Sequence, residues 1–353
     1  MGEWWLGRLC TAANRRRAVK CVGRTIPSAA AICTIADQNG CIVRRGKEQT
    51  MEQEKPKIPT EAVELYSRYI HGEIGRREFF DKVSRFAVAG LTAAAIVDRL
   101  MPNYALGQQV RKDDERIKAS YETIESPKGN GYIRGYFVRP FSQDTRAAMP
   151  TKLPAVLVIH ENRGLNPHTE DVARRFALEN FIAFAPDALT TAGGYPNDDY
   201  RGGLLFNKID KPKLTQDLLA CAQWLKAHAL SNGKVCATGF CFGGGAANTL
   251  ATLLGPDMAA AAPFYGGAPP AADIAKIKAA ILVHHGGLDT QLVNAWPAYE
   301  MELKKNNTPN EGHIWPNSVH GFFNDATPER YNKVTAPQAW NRTIEWFNQY
   351  ARA

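Results

Sequence analysis

Gly239-Phe240-Cys241-Phe242-Gly243 is the stretch on which the reading of this chain turns. It has the form G-x-C-x-G. Ahead of it, Lys234-Val235-Cys236-Ala237-Thr238 reads as a short buried strand, and behind it Gly244-Gly245-Ala246-Ala247-Asn248-Thr249-Leu250-Ala251 reads as the start of a helix. A nucleophile on a sharp strand-to-helix elbow needs that setting. The turn brings strand and helix backbones together, and glycine accepts the crowding without a steric cost. A thiol at that point sits at a helix N-terminus, where the dipole favours the thiolate. The plainer reading of the same motif is a structural cysteine in a glycine-rich turn.

The residues downstream favour the elbow. In α/β-hydrolases the chain order is nucleophile, acid, histidine. Ala280-Ile281-Leu282-Val283-His284-His285 reads as a buried strand running into Gly286-Gly287-Leu288-Asp289, which puts Asp289 just past a strand end. Gly312-His313-Ile314-Trp315 reads as a further strand, followed by Asn317-Ser318-Val319-His320-Gly321-Phe322. His320 then stands in the loop after the last strand. The backbone N–H groups of Phe242 and Asn162 are the expected oxyanion donors.

Taken in order, His160-Glu161-Asn162-Arg163-Gly164-Leu165, Ala185-Pro186-Asp187, the elbow, Pro263-Phe264-Tyr265-Gly266, Gly286-Gly287-Leu288-Asp289 and Val319-His320-Gly321-Phe322 resemble the dienelactone hydrolase (carboxymethylenebutenolidase) family. The resemblance spans roughly residues 120–350 and is nearest to members with H-E-N-R-G-L in the first loop and an extended N-terminus. It implies the α/β-hydrolase fold and cleavage of a small ester or lactone through a cysteine acyl-enzyme, with no cofactor and no metal. It makes Cys241 the nucleophile, His320 the base and Asp289 its orienter. Glu161 corresponds to a glutamate that helps control ionisation of the cysteine; its other reading is a solvated carboxylate beside Arg163. Family members hold a substrate carboxylate with arginines, one shortly after the histidine. Here Gly321-Phe322-Phe323-Asn324-Asp325 follow His320 and Arg330 comes later, so that clamp is absent or rebuilt, with Arg163, Arg201 and Tyr265 as pocket candidates. A peroxide-reactive thiol protein and a non-catalytic binding protein of the same fold are the other classes. Neither needs the Asp289–His320 pair, and Cys241 has no C-x-x-C partner.

The formal charge of +8 invites a nucleic-acid reading, but its distribution argues against one. Nine Lys/Arg and three Asp/Glu in residues 1–50 supply six of those charges, and the other 303 residues are close to neutral. A domain of that kind has no footprint for a polyanion. Cys10, Cys21, Cys33 and Cys41 lack zinc-ligand spacing. Cys221 and Cys236 read as core residues. His284 and His285 are adjacent on a strand and point to opposite faces, so they do not make a metal pair.

Residues 1–50 show no sustained periodicity and read as a disordered or spurious extension, with Met51 as the true start. Residues 51–110 carry Arg76-Arg77, an apolar run over 86–97 and Tyr104-Ala105-Leu106-Gly107. That combination reads as a Tat-like leader directing periplasmic export, with no stable membrane span. The alternative is an N-terminal helical segment docked on a cytoplasmic enzyme through Phe79, Phe80, Phe86 and Leu91. Residues 111–353 form the catalytic domain. Strands are predicted over 133–138, 154–159, 181–185, 235–238, 259–264, 280–285 and 312–315. Helices are predicted over 61–70, 169–179, 213–229, 293–306 and 338–350, and 190–203 reads as a polar loop. This alternation predicts a mostly parallel sheet with helices on both faces.

Overall fold

Leu153-Pro154-Ala155-Val156-Leu157-Val158-Ile159 is apolar without interruption, the pattern of a strand covered on both faces. In the structure, a computed structural model that describes residues 58–70, 72–87, 91–142 and 152–352, it is the middle of an eight-stranded sheet. The strands are β1 (Ile117–Ser126), β2 (Gly131–Pro140), β3 (Leu153–Ile159), β4 (Ile182–Pro186), β5 (Ser231–Phe240), β6 (Met258–Phe264), β7 (Ala280–Gly286) and β8 (Asn310–Trp315). Their order is β1-β2-β4-β3-β5-β6-β7-β8. The first two pairings, β1 with β2 and β2 with β4, are antiparallel, and all the others are parallel.

The helices are α1 (Thr60–Ile70), α2 (Arg76–Val83), α3 (Ala93–Leu100), α4 (Tyr104–Gly107), α5 (Pro167–Leu178), α6 (Asp199–Phe206), α7 (Lys211–Ala227), α8 (Phe242–Leu254), α9 (Ala271–Ile274), α10 (Thr290–Lys305) and α11 (Thr335–Ala351). Side chains alternate across a strand. Ala155, Leu157 and Ile159 therefore join one core layer with α7, α8 and α10, while Val156 and Val158 join the other with α5 and α11. Among the elements that differ from the sequence reading are β1 and α6. β1 was not expected, because its alternation is weak: it is a two-faced edge strand with Tyr121 half exposed. The second half of the 190–203 loop is helical, since Asp198 caps α6 by accepting from the Arg201 N–H at 2.7 Å.

Chain reversal at β3, with β4 on one side and β5 on the other, opens a crevice at the carboxyl ends of these strands. Beside it, α5 is buried along nearly its whole length, charged residues included. Asp171 accepts from the backbone N–H groups of Val110 (2.8 Å) and Gln109 (3.1 Å). Arg175 bridges Asp171 and Asp325, the latter at 2.5 Å. Burying charge is costly unless it is paired and hydrogen-bonded, and here every partner is itself anchored.

The described residues belong to one unit, Pro56–Ala353, so the helices over 60–107 pack with the sheet domain. Ala62, Val63, Tyr66, Tyr69, Phe79, Val83, Leu91, Ile96 and Leu100 bury a common apolar cluster. The Tyr69 ring stacks on Phe79 at 4.6 Å and on Tyr200 of α6 at 5.7 Å. Arg99 pairs with Glu329 at 2.5 Å, and the Asn103 N–H donates to the Ala326 carbonyl at 2.6 Å. Of the four docking candidates, Phe79 and Leu91 are buried, Phe86 packs at the edge and Phe80 is 37% exposed. Arg76 and Arg77 open α2, with the Arg76 guanidinium 5.7 Å from the Tyr200 ring. Residues 1–50, Met51 and part of the apolar run (Val88, Ala89 and Gly90) lie outside the described residues. Among the described residues no helix is long and apolar enough to cross a membrane.

Docking of this segment has a direct test. Phe79→Ala should lower the unfolding free energy by about 3–5 kcal/mol, as for any buried phenylalanine. Phe80→Ala should change it by less than about 1 kcal/mol, as for a surface site. Chemical denaturation checks both, and equal effects would contradict the packing described.

Candidate active site

The elbow is as tight as its sequence demands. Cys241 sits at φ 55°, ψ −111°, a conformation that a side-chain-bearing residue adopts only under constraint. Its N–H donates to the Phe264 carbonyl of β6 at 3.1 Å, and its carbonyl accepts from the Gly245 N–H at 3.2 Å to begin α8. A Cβ on Gly243 would strike the Ile159 and His160 carbonyls, and one on Gly239 would strike the Gly243 backbone. Glycine at both positions lets β3, β5 and α8 meet. The helix ladder starts at Gly245, so the N–H of Phe242 precedes it and points out of the helix end beside the thiol.

The histidine and the acid come from the loops after β8 and β7. The Nδ1–H of His320 donates to Asp289 Oδ2 at 2.6 Å. On its other side the His320 imidazole faces Cys241 and interacts with it. The loop is held by the Leu288 N–H on the Ser318 carbonyl (3.0 Å) and by the Asn332 N–H on the Phe322 carbonyl (3.0 Å). Burial alone would lower the pKa of His320. The interaction with Cys241 and the hydrogen bond to Asp289 outweigh it and lift the imidazole to about 10. For Asp289, burial pulls upward, but the bond and charge of His320 win and the carboxyl titrates below its usual range.

Around it, Tyr265 adopts φ 38°, places its ring 4.9 Å from that of His320, and buries a hydroxyl with no partner among the described residues. Glu161 is 4% exposed. Burial opposes its charge, but Arg163, Arg330, His168 and His320 hold it at about 2. Asn162 uses its side-chain Nδ2 to donate to the Ile70 carbonyl at 3.0 Å, which fixes the turn whose backbone faces the crevice. Arg163 does not line the cleft beside Cys241: it is buried, 3.0 Å from Asp199 and 3.6 Å from Glu161. Arg201 is exposed on α6 and stands apart from the gathered residues. The cleft beside Cys241 holds about 320 Å³ and is lined by Phe242, Ala246, Thr215, Leu218 and residues 267–270.

The other histidines have structural partners. His160 accepts from the Ala188 N–H at Nε2 (3.0 Å), which leaves Nδ1 to donate to the Glu161 carbonyl. His284 is fully buried against Thr343 and Trp315, and burial pushes its pKa well down. His285 is buried near Asp289 and His320, and burial lowers it to about 4. Burial also raises the thiols of Cys221 and Cys236. Among the described residues no group of three or more His, Cys, Asp or Glu could hold a metal ion. Sequence reasoning did not find Asp199, which reaches the site through Arg163, or Tyr66, which reaches it through Arg163 and Arg330, and no motif marks either.

Sheet order, elbow and the placement of Cys241, Asp289 and His320 after the ends of β5, β7 and β8 define an α/β-hydrolase. The dienelactone hydrolase family model matches residues 141–351, and the chain belongs to that family. A "Putative carboxymethylenebutenolidase" of Escherichia coli O157:H7 is 31% identical over 68% of this chain and 90% of its own length. The "Putative hydrolase fragment YghX" of Escherichia coli K12 is 52% identical over 34% of this chain and 97% of its own. The crystal structure of a dienelactone hydrolase-like promiscuous phosphotriesterase, P91, from metagenomic libraries superposes with a TM-score of 0.53 at 25% identity, covering 66% of this chain and 98% of its own.

A consequence for titration follows from the charges around His320. Removing the charge of Cys241, by Cys241→Ala or by alkylation with a neutral reagent, should drop the imidazole pKa from about 10 towards ordinary histidine values. Imidazole NMR titration reads this directly, and an unchanged pKa would show that the thiol is not ionised beside the ring.

Proposed function

We propose that this hydrolase cleaves a small carboxylic ester or lactone through a thioester on Cys241. The observation that carries the reading is the ring of His320 set between Cys241 and Asp289. The thiolate attacks the carbonyl carbon. The tetrahedral oxyanion is received by the N–H groups of Phe242 and Asn162, which are fixed before reaction and so cost no reorganisation. As the C–O bond breaks, His320 gives its Nε2 proton to the leaving alkoxide, and the acyl group remains on sulfur.

The second half follows from the charge balance. Acylation removes the negative charge that lifts the imidazole, so His320 becomes neutral and able to take a proton from water. The resulting hydroxide attacks the thioester, the thiolate leaves and the imidazolium–thiolate pair is restored. Asp289 keeps the ring in one tautomer throughout and stabilises its charged form. Glu161, ionised and buried nearby, tempers the thiolate by like charge while its arginines offset it. The substrate is a small neutral or anionic molecule that fits the cleft beside Cys241, and the chemistry calls for no cofactor or metal.

Cys241→Ala should reduce kcat/KM for p-nitrophenyl esters and small lactones by roughly 10³-fold or more, because the members of such a trio act as a unit. Cys241→Ser should retain a trace, since a hydroxyl lacks thiolate character at neutral pH. Activity in Cys241→Ala near that of the parent enzyme would rule out the thioester route.

A further inference from the structure

The N-terminal helices reach the catalytic loops at three points. Val319, adjacent to His320, packs against their apolar cluster. Asn162 is tied by its side chain to the end of α1 at Ile70. Between these points stands Tyr66 of α1, 1% exposed. Its hydroxyl lies against the Arg163 guanidinium. Its ring faces the Arg330 guanidinium at 5.2 Å, a cation–π contact.

Those arginines are 2% and 4% exposed, and both face Glu161. Arg330 also packs against Gly321, where a Cβ would lie 2.6 Å from its Nη1. Hydrogen-bond partners for the arginines are few. The Nε and Nη2 atoms of both lack one, so each guanidinium is located by charge and by the tyrosine. Arg163 is shared between two carboxylates, Asp199 at 3.0 Å and Glu161 at 3.6 Å. Tyr104 and Tyr195 in turn hold Asp199, each at 2.8 Å.

We propose that Tyr66 is a positioning residue for the reaction: it keeps Arg163 and Arg330 where they offset Glu161 beside the Cys241–His320 pair, making the N-terminal helices a working part of the active site. The proposal rests on the reading of Cys241 as the nucleophile. The charged and titratable groups facing this cluster are His168 of α5 with Asp325 from the loop after β8, Tyr265 after β6, His285 on β7 with Asp289 just after it, and Asp199 with Tyr104 and Tyr195 around Arg163. Without the hydroxyl, Arg163 settles towards Asp199 and leaves Glu161 less compensated. A less compensated carboxylate opposes a second negative charge on Cys241, so the thiol ionises at higher pH.

The test is made on the full chain with Tyr66→Phe, which keeps the ring under Arg330, and Tyr66→Leu, which does not. The rate of Cys241 alkylation by iodoacetamide is followed against pH by peptide mapping, together with the acid limb of kcat/KM for a neutral ester. Both midpoints should move upward by about half a unit in Tyr66→Phe and further in Tyr66→Leu. An unfolded chain would alkylate with the midpoint of a free thiol, so the midpoints are read only over the pH range in which circular dichroism shows each variant folded. Unmoved midpoints in both variants would overturn the proposal. Alkylation needs no turnover, so its midpoint decides the role of Tyr66 even if Cys241→Ala proves active and the catalytic reading falls.

Discussion

Four backbones meet around Cys241, and the site depends on their meeting. The end of β5, the first turn of α8, the end of β3 and the segment after β6 come together because Gly239, Gly243, Gly244 and Gly266 carry no side chain there. That closeness holds the thiol at positive φ and aims it into the crevice at the head of α8. Strain of this kind persists only where surrounding structure over-determines it. Buried strands on both sides and the bond from the Cys241 N–H to Phe264 supply that determination.

Around the elbow the chemistry is set by charge held out of water. Asp289 and Cys241 flank His320, and both favour its charged form. Glu161 is ionised because Arg163 and Arg330 face it. Those arginines are in turn bounded by Asp199 and by the α1 tyrosine. Buried charges of this sort are costly to break singly. The cluster therefore transmits the position of the N-terminal helices to the crevice.

Local patterns were legible in the sequence and distant ones were not. The elbow, Asp289 and His320 could be read because each lies within a few residues of a strand whose apolar run marks it. β3 and β7 declare themselves by uninterrupted burial, whereas β1 is an exposed edge and gives no such signal. α6 was hidden by Gly202 and Gly203, which lower helix propensity but allow the close approach of the Arg163 backbone at Gly202. Arg163 stood out as a cation near the motif, yet nothing local says that it turns inward to Asp199 instead of towards a substrate. Tyr66 is about 175 residues from the nucleophile in sequence, and only the tertiary packing of α1 brings it to the arginines.

The central claim is that the acyl group passes through the sulfur of Cys241. Rapid acid quench during turnover of a slow ester by the His320→Ala variant, followed by peptide mass mapping, observes that step itself. The account predicts a stoichiometric acyl adduct on the peptide containing Cys241, released by hydroxylamine as a thioester would be. Sustained turnover with no adduct, or an adduct on another residue, would contradict it.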